Sequence, residues 1–326
     1  MAMDFWEAQR RARSRTTLFV FLFVSMTLIV AVLVELGMRY FAGDSYAPPF
    51  PVAGAAFALI TFGVAGFQYL NFGMSGGGYV AESLGAWKVS STTTHPLERQ
   101  LLNIVQEMAL AASLPVPAVY ILEANEINAF AAGLTQKDAA ITVTTGTLKR
   151  LNRDELQGVV AHELGHVHNG DMQISMRLAA MVMGFFFIIF IGLRILQFSS
   201  LGRNRDEKRE GNNPLVIAAL IFMVAGAFTW LMGSILKSAV SREREYLADA
   251  CAVQFTRNPQ GIGNALRKIA NTKTSDMPPQ GAAYSHLYFD DRTALSGLFQ
   301  THPPLSKRIA AIEGRAYIPK EWNIPE

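Results

Sequence analysis

The chain has 326 residues, half of them hydrophobic and only 17% charged, where a soluble domain carries about 25% charged residues. With a mean hydropathy of +0.21, that balance points to a membrane protein. The net charge of +3 is scattered rather than banked on an aromatic-rich face, which excludes a nucleic-acid-binding protein, and the single cysteine, Cys251, excludes an internal disulfide.

Thr16 to Val34 is an uncharged run preceded by Arg10, Arg11, Arg13 and Arg15. A membrane helix needs roughly 17 to 25 apolar residues, so this run is expected to span. It is too long for the apolar part of a removable signal peptide and reads as a signal anchor. The arginine cluster holds the N-terminus in the cytoplasm, and a second span, Phe50 to Leu70, returns the chain there near Asn71. Gly76-Gly77-Gly78 then reads as the end of the hairpin and the start of a polar connector.

Past the connector, Leu97, Leu101, Ile104, Val105 and Met108 recur at helical spacing after Pro96 and predict an amphipathic helix. Ala118–Leu122 and the β-branched run 139–145 predict two strands, with Asn128-Ala129-Phe130 between them. Asn152, followed three residues later by Glu155, is the signature of a capped helix start. Leu156, Val159, Val160, Leu164 and Val167 give that helix an apolar stripe.

Leu178 to Leu193 and Pro214 to Leu236 complete four expected spans. Arg203, Arg205, Lys208 and Arg209 between the last two oppose a crossing by charge bias. The hairpin therefore either crosses against that bias or folds back within the membrane. The length of the fourth span favours crossing.

The helix beginning after Asn152 carries His162-Glu163-Leu164-Gly165-His166. Histidines four apart share a helix face and can hold one metal ion, while the glutamate beside the first can take a proton from water at that ion. A catalytic zinc with two histidines needs a third protein ligand. The extended motif would place a histidine at position 172, where this chain has Met172. Downstream, Ser241-Arg242-Glu243-Arg244-Glu245-Tyr246-Leu247-Ala248-Asp249 places Glu245 and Asp249 on one helix face. Glu245 can bind zinc and Asp249 can orient a ligand histidine. Taken alone, the same segment reads as an ordinary salt-bridged helix, with Arg242 and Arg244 as partners.

HELGH, a membrane hairpin and SREREYLAD, with NAF upstream and THPPLSKR downstream, together resemble the M48 metallopeptidases, and within them the HtpX group of membrane-integral proteases. The resemblance covers nearly the whole chain. It implies that His162, His166 and Glu245 bind one Zn2+ per chain and that Glu163 is the catalytic base. It implies that Asn128, Ala129 and Phe130 lie beside the cleft, where an edge strand pairs with extended substrate. By the same resemblance His302 either faces the reacting carbonyl or simply starts a helix, and Arg308 partners a carboxylate such as Asp249.

The expected fold is mainly α with a small β-sheet: four transmembrane helices and a cytoplasmic zincin-like domain of the gluzincin type. Its segments are residues 1–75, a membrane hairpin; 76–177, the first part of the catalytic domain; 178–236, a second hairpin; and 237–326, the second part. The expected function is a zinc metalloendopeptidase of a bacterial inner membrane, cleaving misfolded or damaged membrane proteins in the bilayer as quality control under stress. The alternatives are a processing protease for one membrane-bound or lipid-modified precursor, and a non-catalytic scaffold stabilised by zinc.

Overall fold

The structure, a computed structural model, describes residues 5–201, 213–271 and 303–314. The chain forms two units, Met1–Leu70 with Arg177–Leu236, and Asn71–Met176 with Lys237–Glu326. Each is assembled from two separated stretches of sequence.

The first unit is built from helix α1 (Phe5–Ala42), the leading part of α2 (Val52–Ser83), most of α6 (Asp171–Leu201) and the start of α7 (Pro214–Thr256). Among the described residues four helical stretches are long and apolar enough to cross a membrane: Val20–Ser45, Val52–Ser83, Asp171–Phe198 and Pro214–Gly233. Val30, Val34, Met38, Phe57, Ile188 and Phe222 pack between them. Leu28, Ile29, Val32 and Leu33 are at least half exposed, as expected where the solvent is hydrocarbon rather than water. Glu35 is buried among these apolar groups, yet it is fully used. Its carboxylate accepts from the backbone N–H of Ala53 and Gly54, from Tyr46 Oη and from Arg39 Nε, at 2.8 to 3.2 Å. It therefore caps the start of α2, sharing the Ala53 amide with Tyr46 Oη. The basic loop Arg203–Arg209 lies outside the described residues.

The second unit holds a four-stranded sheet of β1 (Trp87–Lys88), β2 (Ala118–Leu122), β3 (Ala129–Ala132) and β4 (Ala140–Thr144) in the order β1-β2-β4-β3. β2 and β4 run parallel, in register from Ala118 opposite Ala140 to Leu122 opposite Thr144. The outer pairs are antiparallel, and β3 forms one edge. Helices α3 (Pro96–Ala111), α4 (Thr145–Arg150), α5 (Arg153–Asn169), α8 (Pro259–Ala270) and α9 (Leu305–Glu313) complete the unit with the end of α7. The core joins Leu101, Ile104 and Val105 of α3 to Ile121, Ile141 and Val143 of the sheet. From the other side it receives Leu156, Val160 and Leu164 of α5 and Ile262 and Leu266 of α8.

The triple glycine is not the start of a connector. Helix α2 continues to Ser83 and only kinks at Gly76, whose φ is 63°. The Gly77 amide donates to the Asp138 carbonyl at 2.9 Å, and a Cβ at Gly77 would stand 2.0 Å from the Ala132 carbonyl oxygen. These glycines thus let the α2 backbone touch the β3–β4 connection, a contact that any side chain would prevent. Gly77→Ala is expected to destabilise the second unit by about 1–3 kcal/mol, the usual cost of overpacking. A lowered melting temperature in detergent would register the loss, and an unchanged one would mean that the contact is not tight.

Candidate functional site

Helix α5 starts on a complete capping box. Asn152 Oδ1 accepts from the Glu155 amide at 2.9 Å, and Glu155 Oε2 accepts from the Asn152 amide at 2.8 Å. The same glutamate oxygen accepts from Lys268 Nζ of α8 at 2.6 Å, so the helix start is fixed from two directions. About two turns beyond Glu155, His162 and His166 stand one above the other. Their ring centroids are 4.8 Å apart and their planes 89° to each other.

Glu245 comes from α7. Its carboxylate lies 3.6 Å from His162 Nε2 and 3.4 Å from His166 Nε2. One ligand atom from each of these three residues lies within 4.8 Å of the others, close enough for the three to hold one metal ion. Gly165, directly before His166, explains the close approach of α7. A Cβ there would meet Cys251 Cβ at 3.0 Å and Ala248 Cα at 3.2 Å.

Each histidine turns its other nitrogen to a carboxylate. His162 Nδ1 is 2.9 Å from Asp249 Oδ1, one turn beyond Glu245 on α7. Arg308, completely buried on α9, donates to that aspartate twice, Nε to Oδ2 at 2.9 Å and Nη2 to Oδ1 at 2.7 Å. Its Nη1 also lies 3.2 Å from Glu245 Oε2. Nη2 is 3.4 Å from both nitrogens of His162. Equal distance to both marks a contact with the ring face rather than an in-plane hydrogen bond. On the second histidine, His166 Nδ1 is 3.4 Å from Asp171 Oδ2, and Arg244 Nε is 3.3 Å from Asp171 Oδ1.

The two imidazoles are tuned in opposite senses. Burial lowers the His162 pKa to about 4, helped by the Arg308 charge and opposed by Asp249, so this ring is neutral and donates from Nδ1. Burial also acts against a charged His166, but Asp171, Glu245 and Glu163 outweigh it and hold that ring well above its ordinary range. Burial opposes ionisation of Asp249 too, yet Arg308 overrides it and pulls the carboxyl down to about 2.

Glu163, Asp171, Glu245 and Asp249 are all buried, and among the described residues Arg244 and Arg308 are the buried cations that answer them. A metal binds imidazole in its neutral form, and with both rings neutral the cluster would carry two uncompensated negative charges in a low-dielectric setting, where such charge is costly. A divalent cation held by His162, His166 and Glu245 would neutralise them. The donor set of two imidazoles and one carboxylate is that of an open zinc site. The residues fit the ion.

The remaining sequence-predicted residues fall as follows. Glu163 is buried on α5 and acts on His166. Asn128, Ala129 and Phe130 are buried at and just before edge strand β3, which packs on α5. Asn128 is locked in place: its amide donates to Thr147 Oγ1 at 2.8 Å, and its carbonyl accepts from the Thr144 amide at 3.0 Å. The Phe130 side chain belongs to the interior, so this segment can offer a peptide only its backbone. His168 packs edge-on against Phe255 and is not one of the three residues whose atoms converge. His302 lies outside the described residues. Reasoning from sequence missed Asp171 and Arg244 as members of the site.

A family model for peptidase family M48 matches residues 95–316 of this chain. The protein named "Protease HtpX homolog" in Streptococcus equi subsp. equi is 36% identical over 279 residues, covering 84% of this chain and 89% of that one. The protein of that name in Thermoanaerobacter pseudethanolicus is 37% identical over 281 residues, covering 79% and 91%, and that in Ligilactobacillus salivarius 40% over 216 residues, covering 66% and 72%. Among solved structures, Ste24p of S. mikatae matches with a TM-score of 0.44 and 18% identity, over 88% of this chain and 66% of that one; a likeness that low carries no argument. The family match covers more than half of the chain and includes the histidine pair, Glu245, Asp249 and Arg308. The chain therefore belongs to the M48 metallopeptidases, among their HtpX-like membrane proteases.

Proposed function

We propose that this chain is a zinc endopeptidase that hydrolyses misfolded or damaged membrane proteins at the cytoplasmic face of a bacterial inner membrane. The observation that carries the reading is the cluster of buried His162 and Glu245 with half-buried His166, and Glu163 directly after His162 on the same helix. Relatives named as proteases support peptide-bond cleavage. The four apolar helices favour substrates that are themselves in or near the bilayer, and the arginines preceding α1's apolar run support the orientation.

His162, His166 and Glu245 would hold the zinc. When bound, the ion lowers the pKa of water to about 7 and polarises the scissile carbonyl. Glu163 accepts the proton of the attacking water and later delivers it to the departing amine nitrogen, as a general base and then a general acid. Asp249 keeps His162 in the tautomer whose Nε2 lone pair points to Glu245, and Arg308 keeps Asp249 ionised and in place. Edge strand β3 offers its outer backbone for pairing with an extended peptide. His302 is carried here only as a candidate for facing the carbonyl oxygen.

The test uses the full chain in detergent, loaded with zinc and incubated with casein and with several unfolded membrane-protein segments. Cleavage of many unfolded chains at many sites is the expected result. Cutting at one position in one substrate would favour a processing protease. Absence of cleavage by the loaded, folded chain would leave the zinc-stabilised scaffold.

A further inference from the structure

Each histidine of the cluster faces an aspartate that an arginine meets in turn, more closely at His162 than at His166, though sequence spacing reveals only one of the arrangements. Asp249 lies four residues after Glu245 on one helix face, where such a pair is expected. Asp171 lies five after His166, and in an unbroken helix it would be turned about 140° away. The helix is broken between them. Gly170 takes the left-handed conformation, φ 74° and ψ 14°, ends α5, and lets α6 begin at Asp171. With that break, Asp171 Oδ2 lies 3.4 Å from His166 Nδ1. Asp171 is 4% exposed. Its other oxygen faces Arg244 Nε at 3.3 Å, and Arg244 immediately precedes the third member of the cluster, Glu245.

We infer that Asp171, clamped by Arg244, is a positioning residue that orients His166 toward the metal, as Asp249 clamped by Arg308 orients His162. This inference rests on the zinc reading above. Two observations carry it together: the helix break that places the aspartate, and the parallel sets of histidine, aspartate and arginine on the two sides of Glu245. His166 is the more exposed histidine of the two, with 17% of its side chain accessible against none for His162. Its ring has less packing to hold it and depends more on the hydrogen bond. A carboxylate behind a metal-binding imidazole is worth about 10- to 100-fold in metal affinity.

The experiment measures zinc dissociation constants by chelator competition on the full chain in detergent, for wild type, Asp171→Ala, Asp171→Asn, Arg244→Gln and Glu245→Ala. Native packing is checked by protection of the single thiol, Cys251, which is buried against α5. Asp171→Ala should keep Cys251 protected and bind zinc about 10- to 100-fold more weakly. Asp171→Asn, which retains an acceptor for the Nδ1 proton, should recover most of that loss. Wild-type zinc affinity in folded Asp171→Ala would overturn the inference, as would equal losses in the Ala and Asn variants. If Asp171→Ala does not fold, Arg244→Gln decides: weakened zinc binding with Cys251 protected supports the clamp, and unchanged binding overturns it. The two readings fail differently. Wild type that binds no zinc, or Glu245→Ala that binds it fully, overturns the zinc reading and this inference with it; normal wild-type binding with an unaffected Asp171→Ala overturns this inference alone.

Discussion

Glu163→Gln is expected to retain zinc and to lose between about 100-fold and 10,000-fold in cleavage rate, the range for removal of a positioned general base. Glu163 directly follows His162 on α5 and is buried with it, yet it is not one of the three residues whose atoms converge on one point. The amide preserves its shape and hydrogen-bonding reach but cannot accept the proton of water at neutral pH. Zinc content should stay near one per chain and the melting temperature should hold or rise, because one buried negative charge has been removed. Single-turnover cleavage of an unfolded peptide, with metal content measured on the same sample, checks both halves. Zinc loss in this variant would recast Glu163 as a ligand, and retention of full activity would end its role as the base.

Arg308→Ala should be the most damaging change away from the three proposed ligands. The guanidinium is fully buried, makes both of its short bonds to Asp249 and reaches Glu245 Oε2. Its removal leaves two buried carboxylates facing each other across one turn of α7. Breaking a buried pair in this way costs about 3–5 kcal/mol, enough to unfold a domain of marginal stability. α9 should loosen as well, since Arg308 and the Arg267–Glu313 ion pair are its polar ties to the rest of the unit. Zinc, if held by Glu245 as proposed, would offset part of this loss by neutralising that carboxylate. The melting temperature of Arg308→Ala should therefore fall more steeply in chelator than in excess zinc, with the full chain studied in detergent. Adding Asp249→Asn to the variant should cost less than the sum of the two single changes, because the charge that Arg308 compensated is gone. Strict additivity would mean that the two side chains act independently, against the geometry.

How much of this was legible in the sequence differs from element to element. Helix α5 announced itself, because its cap, its acidic first turn and its apolar stripe all agreed with the spacing of its histidines. Glu245 and Asp249 were legible for the same reason: four residues on a helix is a fixed geometry. Strand β3 was not. Its sequence, Ala129-Phe130-Ala131-Ala132, is short and alanine-rich, with little intrinsic strand preference, and it forms because β4 offers it a pairing edge. Gly76-Gly77-Gly78 was misleading, since glycine reads locally as a breaker, whereas here the missing side chains make room for the β3–β4 connection. Asp171 was hidden for a deeper reason. Its reach back to His166 depends on a left-handed glycine, and a residue five positions on has no helical rule that brings it home. Arg244 was visible only as an ordinary helix cation, because its partner Asp171 belongs to a different helix.

The claim that His162, His166 and Glu245 form one zinc site is tested most directly by X-ray absorption at the zinc edge. It would be run on the full chain purified in detergent, beside the metal content of Glu245→Ala. The account predicts one zinc per chain with nitrogen and oxygen ligands at about 2.0–2.2 Å, a signature of two imidazoles, and no sulfur. It also predicts that Glu245→Ala loses the metal. A sulfur ligand, or zinc retained in full by Glu245→Ala, would contradict it.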